Sequence, residues 1–458
     1  MDGTSGIRVD NPADVVFLTQ ATQSDQPTAV KDIDFDEMKA LGNQAFRSER
    51  FPQALAAYQE CLKEHPDSIL ILSNLAAVCI EMEDFPQALK YAQDGLQIDK
   101  SHIKCLYRCG VAHMKLDQFK DAVVHRTKAQ QQTPNDRTIN KALADADELL
   151  QQSTGEFNPN TLFLAKPGKF PSNLAKYVGA ITITSLPGKG RSVVVARDIQ
   201  AGQLLFVENP LAIAHVDSNQ LGFQIDMHSR RMNQLSQADL VVKLANVGLK
   251  DPTSLQQMYA LYDGTKQSLQ TTPDIDFVNS TTQGSQGPTS VIDTARISSI
   301  VRFNAFGSGR ADNDETRRAQ ADLLIQDTNP ASSWSALYPL LSLVNHSCCP
   351  NSRIDYVRGD VMVRAGRALK AGEESTISYM GDLSETVVER RSFLQKGWDF
   401  TCKCDRCTVE AALPKRIKDL IAKIHNQMKE EGCGTILVNT GKQSRVRADP
   451  HMLCRQRS

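Results

Sequence analysis

No apolar run in this 458-residue chain approaches the roughly 18 positions that a membrane-spanning helix needs. The opening MDGTSGIRVD has no basic stretch followed by an apolar one, so a secretory leader is not expected. Charge of one sign is missing too. Lys and Arg number 52 against 53 Asp and Glu, a net charge of −1, which leaves no global field to draw in nucleic acid or an anionic membrane. The local exception is 441–458, where Lys442, Arg445, Arg447, Arg455 and Arg457 face Asp449 alone and read as a solvated basic tail. Cysteine is absent between Cys109 and Cys348. The eleven cysteines accompany no secretory leader, so thiols in a reducing compartment are expected, in the cytosol and/or the nucleus.

What the chain does contain is, first, a repeat. Stepping by 34 residues puts Phe51, Phe85 and Phe119 in one column and Ala54, Ala88 and Ala122 in another. Gly42, Ala76 and Gly110 form a third, and Pro66 and Pro134 flank Lys100 in a fourth. Small residues at two fixed points of a helical hairpin let its helices approach closely, and the proline ends the second helix. Period and columns resemble the tetratricopeptide repeat. Three repeats plus a cap are expected over 35–152, with TINKALADADELL (138–150) as the capping helix over an otherwise open apolar face. Residues 1–34 are polar and aperiodic and are expected to be disordered, and 153–176, broken by Pro and Gly, reads as a linker.

The texture then turns from helical to β-branched. GAITITSL, RSVVVARDI and QLLFVENPLAIA read as strands cut by turns, and strand-like texture returns at SRIDYVRGDVMVRAGRALKAGEESTISYM. The fold class expected is therefore multidomain: an α-helical tetratricopeptide superhelix, then a mainly β domain. That β domain divides into 177–215 and 291–398 around an insertion at 216–290, followed by a cysteine-rich segment at 399–410 and a helix and tail over 411–458. Within the insertion, 263–290 has almost no core formers and is expected to be flexible. The last helix should carry Ile417, Leu420, Ile421, Ile424 and Met428 on one face.

Two adjacent cysteines in LVNHSCCPNS (343–352) raise the question of chemistry, because their side chains must point in different directions. Downstream, CKCDRC supplies Cys402, Cys404 and Cys407, three thiolates close enough to meet at one metal, and zinc prefers four in a tetrahedron. Cys348 is the candidate fourth ligand if the fold returns 402–407 to the 345–350 turn, and Cys349 is expected to be a buried bystander. The motifs NHSCCPN, GEESTISYM and DFTCKCDRC, with GKGRSVVVARDIQAGQLLFVE and RFNAF, resemble those of the SET-domain lysine methyltransferases, in particular the MYND-containing branch with its split catalytic domain. The cysteine-free interval excludes a MYND finger from the insertion. The resemblance implies an S-adenosylmethionine-dependent protein lysine methyltransferase, with Tyr379 as the catalytic hydroxyl and Trp398 where relatives carry a tyrosine in the lysine channel. It also implies cofactor contacts from Gly188, Gly190, Asn304, Asn345, His346 and Phe400, and a structural zinc. A non-catalytic adaptor with a degenerate SET fold is the alternative.

The chemistry suits such a site. A lysine amine has a pKa of about 10.4, so its neutral form at pH 7 costs roughly 3.4 units, or about 4.6 kcal/mol. An apolar channel beside a sulfonium lowers that cost, since both disfavour a second cation. The substrate would be a protein lysine, histone or non-histone. On the repeats, Lys39 and Asn43 lie i,i+4 on the first helix of the first repeat, Asn74 on that of the second, and Lys104 and Arg108 i,i+4 on that of the third. This set resembles the two-carboxylate clamp that grips the acidic tail of heat-shock chaperones, and implies such a tail as a partner. No contact with membrane or nucleic acid is expected.

Overall fold

The computed structural model describes residues 35–158, 162, 174–216, 223–226, 231–265, 272–279, 292–307, 333–357, 359–380 and 385–430. The expectations for 1–34 and for the basic tail at 441–458 lie outside the described residues. Two compact units divide the chain, the first ending at Pro66 and the second starting at Asp67.

In the first unit, helices α1 (Phe35–Arg47) and α2 (Phe51–Glu64) form one antiparallel hairpin. Gly42 is required at their crossing, because a Cβ there would sit 2.6 Å from the Tyr58 ring. Opposite it, Ala54 is completely buried.

The second unit repeats this design with α3 (Ile69–Glu81) and α4 (Phe85–Ile98), then α5 (Ile103–Lys115) and α6 (Phe119–Gln132), closed by α7 (Arg137–Ser153). The small-residue columns lie where the hairpins close: Ala76, Ala88 and Ala122 are buried, and a Cβ on Gly110 would meet the Arg126 side chain at 2.7 Å. The period also reaches the backbone. Glu49, Glu83 and Asp117, one in each hairpin turn, adopt left-handed φ of 57°, 59° and 56°. This conformation is uncommon without glycine, and it sets the same sharp reversal three times. Asp136 starts α7 by accepting from the Thr138 and Ile139 N–H groups. Among the described residues no helix is long and apolar enough to cross a membrane.

After α7 the chain enters the β region. Strands β1 (Tyr177–Val178), β4 (Leu204–Glu208), β12 (Asp360–Ala365) and β11 (Ser352–Val357) form a four-stranded antiparallel sheet in that order. A hairpin of β2 (Ile181–Leu186) and β3 (Gly190–Val195) stands apart from it, and β6 (Phe223–Asp226) pairs with β7 (Arg231–Gln234). Strand β9 (Ser333–Leu337) lies between β5 (Ala212–Val216) and β8 (Ala305–Gly307). Two residues, β10 (Asn345–His346), pair in parallel with β13 (Thr376–Ile377). That short pairing brings two of the sequence motifs side by side.

Helices α8 (Leu235–Lys250), α9 (Pro252–Tyr259), α10 (Ile275–Asn279) and α11 (Thr294–Asn304) cover one side of this core. Leu240, Leu244, Met258 and Ile297 from them pack with Phe206, Leu337 and Val363 from the strands. Here the expectation for 263–290 needs correction over 272–279, where Val278 is buried in the core with Ile275 and Phe277 packed against it; 266–271 and 280–290 lie outside the described residues. Three apolar residues within five positions are enough to dock one helical turn on a core. The C-terminal end of the interval read as a linker is engaged as well. Leu174 N–H donates to Asp360, Ala175 N–H donates to Gln152, and both residues are buried. The chain closes with α12 (Val387–Trp398), α13 (Asp405–Ala412) and α14 (Lys415–Glu430).

Candidate active site and metal centre

Tyr379 lies two residues past the end of β13, so the parallel pairing places it beside the 344–346 segment. Its phenol donates to the Val344 carbonyl at 2.8 Å. Burial, with a smaller contribution from the Glu374 charge, pushes the phenol well above the usual tyrosine range. It therefore stays protonated near neutral pH and acts as a hydrogen-bonding group, not as a base. The Tyr379 and Trp398 rings lie 5.2 Å apart, and the indole N–H donates to the Phe303 carbonyl at 3.0 Å. That bond fixes Trp398 as an apolar wall and leaves it no donor for a substrate.

His346 joins two parts of the site. The Tyr379 backbone N–H donates to its Nδ1 at 3.0 Å, which makes that nitrogen an acceptor. The proton then belongs on Nε2, 3.2 Å from the Cys348 sulfur. Asn345 turns the other way. Its Nδ2 lies 2.6 Å from Ser192 Oγ, 3.0 Å from Glu374 Oε1 and 3.1 Å from the Arg191 carbonyl. Gly188 and Gly190, on the β2–β3 turn, have φ of 72° and 73°, and a Cβ on either would meet nothing within 4 Å. The turn thus offers bare backbone beside open space, which suits close approach of a ligand. Asn304, at the end of α11, donates its amide to the Tyr262 and Ile300 carbonyls, both at 2.7 Å. A ligand contact from it would use Oδ1 or the backbone. Phe400 is half-buried, with its ring 6.2 Å from that of His346.

Cys348, Cys402, Cys404 and Cys407 come together with all four sulfurs within 4.8 Å of one another, and three of the four residues are buried. Four soft donors at this spacing match a tetrahedral zinc site. The electrostatics point the same way. Cys402 is held toward the thiolate by the hydrogen bond from Cys348, and that bond pushes the Cys348 thiol far up. A buried thiolate needs a cation. Arg390, fully buried on α12, supplies part of the compensation: Nη2 lies 3.6 Å from the Cys407 sulfur and 2.7 Å from Glu410. Cys349 is exposed, not buried as expected. Its backbone N–H donates to the Ser347 hydroxyl oxygen at 3.1 Å in a tight turn, which sets Cys349 outward while Cys348 is buried.

On the repeats, the described contacts lie within each unit. In the first, Lys39 pairs with Asp36 at 2.6 Å, and Asn43 accepts from the Tyr58 hydroxyl at 2.8 Å. In the second, Arg108 on α5 donates to the Ser73 hydroxyl on α3, next to the half-buried Asn74, and Lys104 is exposed. Sequence reasoning did not single out Glu374, Arg390 or the Phe303 carbonyl. Glu374 and Phe303 stand inside the GEESTISYM and RFNAF motifs and could have been singled out there; Arg390 has no local signal.

Residues 190–380 match the family model of the SET domain. The chain is 22% identical over 97% of its length to a protein named methyltransferase from Gibberella zeae, spanning 62% of that protein. It is 38% identical over 25% of its length to human N-lysine methyltransferase SMYD2, covering 27% of that relative. The Arabidopsis OM64 tetratricopeptide domain is 27% identical to 24% of this chain, with 93% of that domain covered and a TM-score of 0.24. The chain thus spans less than two thirds of either curated relative.

Proposed function

We infer that this chain, a helical-repeat protein carrying a SET domain, is an S-adenosylmethionine-dependent protein lysine methyltransferase. The observation that carries this reading is the protonated phenol of the half-buried Tyr379, donating to the Val344 carbonyl between Trp398 and the 345–346 strand. When bound, S-adenosylmethionine supplies a methyl carbon made electrophilic by its sulfonium. Gly188, Gly190, Asn304, Asn345, His346 and Phe400 are the residues that would hold it. Trp398 and Tyr379 would desolvate the incoming amine, which favours its neutral, nucleophilic form. The Tyr379 hydroxyl and the Val344 carbonyl fix polarity at one point of an otherwise apolar wall, so alignment and fixed dipoles do the catalytic work. A zinc ion held by Cys348, Cys402, Cys404 and Cys407 would tie the segment carrying Phe400 to the turn after His346.

The test is Tyr379→Phe, which removes one hydroxyl and keeps the ring. Calorimetry should show cofactor affinity retained, and turnover on a verified lysine substrate should fall at least about tenfold, or about 1.4 kcal/mol. Equal turnover removes Tyr379 from the mechanism. A wild-type protein that binds no S-adenosylmethionine would instead be a non-catalytic adaptor.

For the repeats the proposal is a receptor for an acidic C-terminal peptide, such as a heat-shock chaperone tail. Support comes from two cations one turn apart on α5, with Arg108 oriented by Ser73 and the Asn74 amide on the adjoining α3. An Arg with its fork held in place and a neighbouring Lys suit a carboxylate pair.

A further inference from the structure

Glu208 is a buried acid that the proposed chemistry does not use. It ends β4 with only 4% of its surface exposed, opposite Val361 of β12. Its two carboxylate oxygens accept one backbone N–H each, from Leu340 at 2.7 Å and from Leu341 at 2.9 Å. Those are unpaired donors at the start of a 3₁₀ turn, Leu341–Leu343. The residue that ends this turn is Val344, the acceptor of the Tyr379 phenol, and Asn345 and His346 follow at once. Ser342 Oγ, within the turn, donates to the Tyr338 carbonyl at 2.7 Å and lies 3.3 Å from the Asn304 carbonyl. One short rod of backbone therefore runs from the Glu208 carboxylate to the Tyr379 hydroxyl.

A buried carboxylate is costly, and a purely apolar residue would pack this position without that cost. What a carboxylate adds is two charge-assisted bonds to consecutive N–H groups, which lock the rotation of the turn about its axis. Rotation of that turn is what aims the Val344 carbonyl. We propose that Glu208 is a positioning residue for methyl transfer, whose carboxylate sets the Tyr379 phenol through the 340–344 turn. This inference rests on the methyltransferase reading for its catalytic consequence, and on the geometry alone for the coupling.

The coupling should respond to protonation, because a neutral acid gives up one of its two charged acceptors. Burial pushes the Glu208 carboxyl up to about 7, against the opposing pull of the two N–H bonds and of Lys176. The other titratable groups around it are Tyr338, which precedes the turn, and Asp360 of β12; Tyr338 is itself pushed well up by burial. Of Glu208 and Tyr338, only Glu208 changes charge as pH passes through about 7.

The experiment is a double-mutant cycle with an independent spectroscopic arm, on the full chain. Glu208→Gln keeps the shape but sets an amide donor against one of the two N–H groups. In the wild-type background it should lower kcat about tenfold with the peptide KM within about twofold. In the Tyr379→Phe background the same change should cost less than about twofold, since the phenol it would misplace is gone. Equal losses in both backgrounds overturn the proposal, because a merely structural defect does not depend on the phenol. The second arm labels tyrosine Cζ with 13C and identifies the Tyr379 signal by its loss in Tyr379→Phe. That signal should shift as pH passes through about 7, and lose this shift in Glu208→Gln. A flat wild-type signal overturns the proposal even if the Gln variant fails to fold. A wild-type protein that transfers no methyl group overturns the methyltransferase reading, and the spectroscopic arm still decides Glu208.

Discussion

Individual residues in this site take their roles from what their polar atoms are already bonded to. The Trp398 N–H is spent on the Phe303 carbonyl, the Tyr379 hydroxyl on Val344, and the His346 Nδ1 on the Tyr379 backbone. Each bond removes a possible function: Trp398 has no donor left for an amine, and His346 cannot serve as a free base through Nδ1. The adjacent cysteines differ just as sharply. Cys348 lies 3.5 Å from the Cys407 sulfur and 3.9 Å from that of Cys402, whereas Cys349 is exposed. Elemental analysis of the wild-type protein should find about one zinc per chain. Cys348→Ser should lose that metal, and Cys349→Ser should keep it. The reverse pattern would show that the ligand is Cys349. Metal removal should also destabilise the fold, since four clustered thiols, three of them buried, would be left without their shared cation.

At the scale of elements, short segments do more than their length suggests. The two-residue pairing of β10 with β13 holds the asparagine–histidine motif against the tyrosine strand. Helix α10 is only five residues long, yet it seals the core with Val278. Val278→Ala should cost roughly 1–3 kcal/mol of unfolding free energy, read as a lower urea midpoint with an unchanged slope. Asp276→Ala, on the exposed side of the same turn, should change it by less than about 0.5 kcal/mol. Equal effects would mean that α10 does not pack as described. The site itself should be spared in both variants, because Val278 packs in the core and lies outside the ring contacts of Tyr379.

For the whole molecule, the organisation joins a helical-repeat region to the region that matches the SET-domain model in a single chain, and each has its own testable chemistry. A free-carboxylate chaperone tail peptide should bind with micromolar affinity, an order of magnitude typical of a small charge-reading site. Amidation of the peptide terminus should abolish binding, as should Lys104→Ala or Arg108→Ala. Calorimetry giving equal affinities for amidated and free peptides would sink the receptor proposal while leaving the SET chemistry untouched. The near-balance of 52 basic and 53 acidic residues means that any such attraction is local, and it should weaken as salt is raised.

By itself the sequence determined whatever repeats or stays local. The period of 34 places Gly42, Ala76 and Gly110 at their helix crossings, because close packing of a hairpin admits only small residues there, and that demand recurs with every repeat. Cys402, Cys404 and Cys407 were legible because three cysteines within six positions are a local signal. Tyr379, Asn345 and His346 were legible through motifs. Tertiary structure alone decided the rest. It brought Cys348 to those three thiols across more than fifty intervening residues, exposed Cys349, and docked α10 on the core. It also set Glu208 under the turn that ends at Val344, and Arg390 against Cys407. Arg390 carries no pattern in the sequence, and Glu208, though it ends the GKGRSVVVARDIQAGQLLFVE motif, shows no local sign of burial. A glutamate at a strand end and an arginine in a helix are usually solvated, and only burial beside unpaired N–H groups or thiolates gives such charges a task.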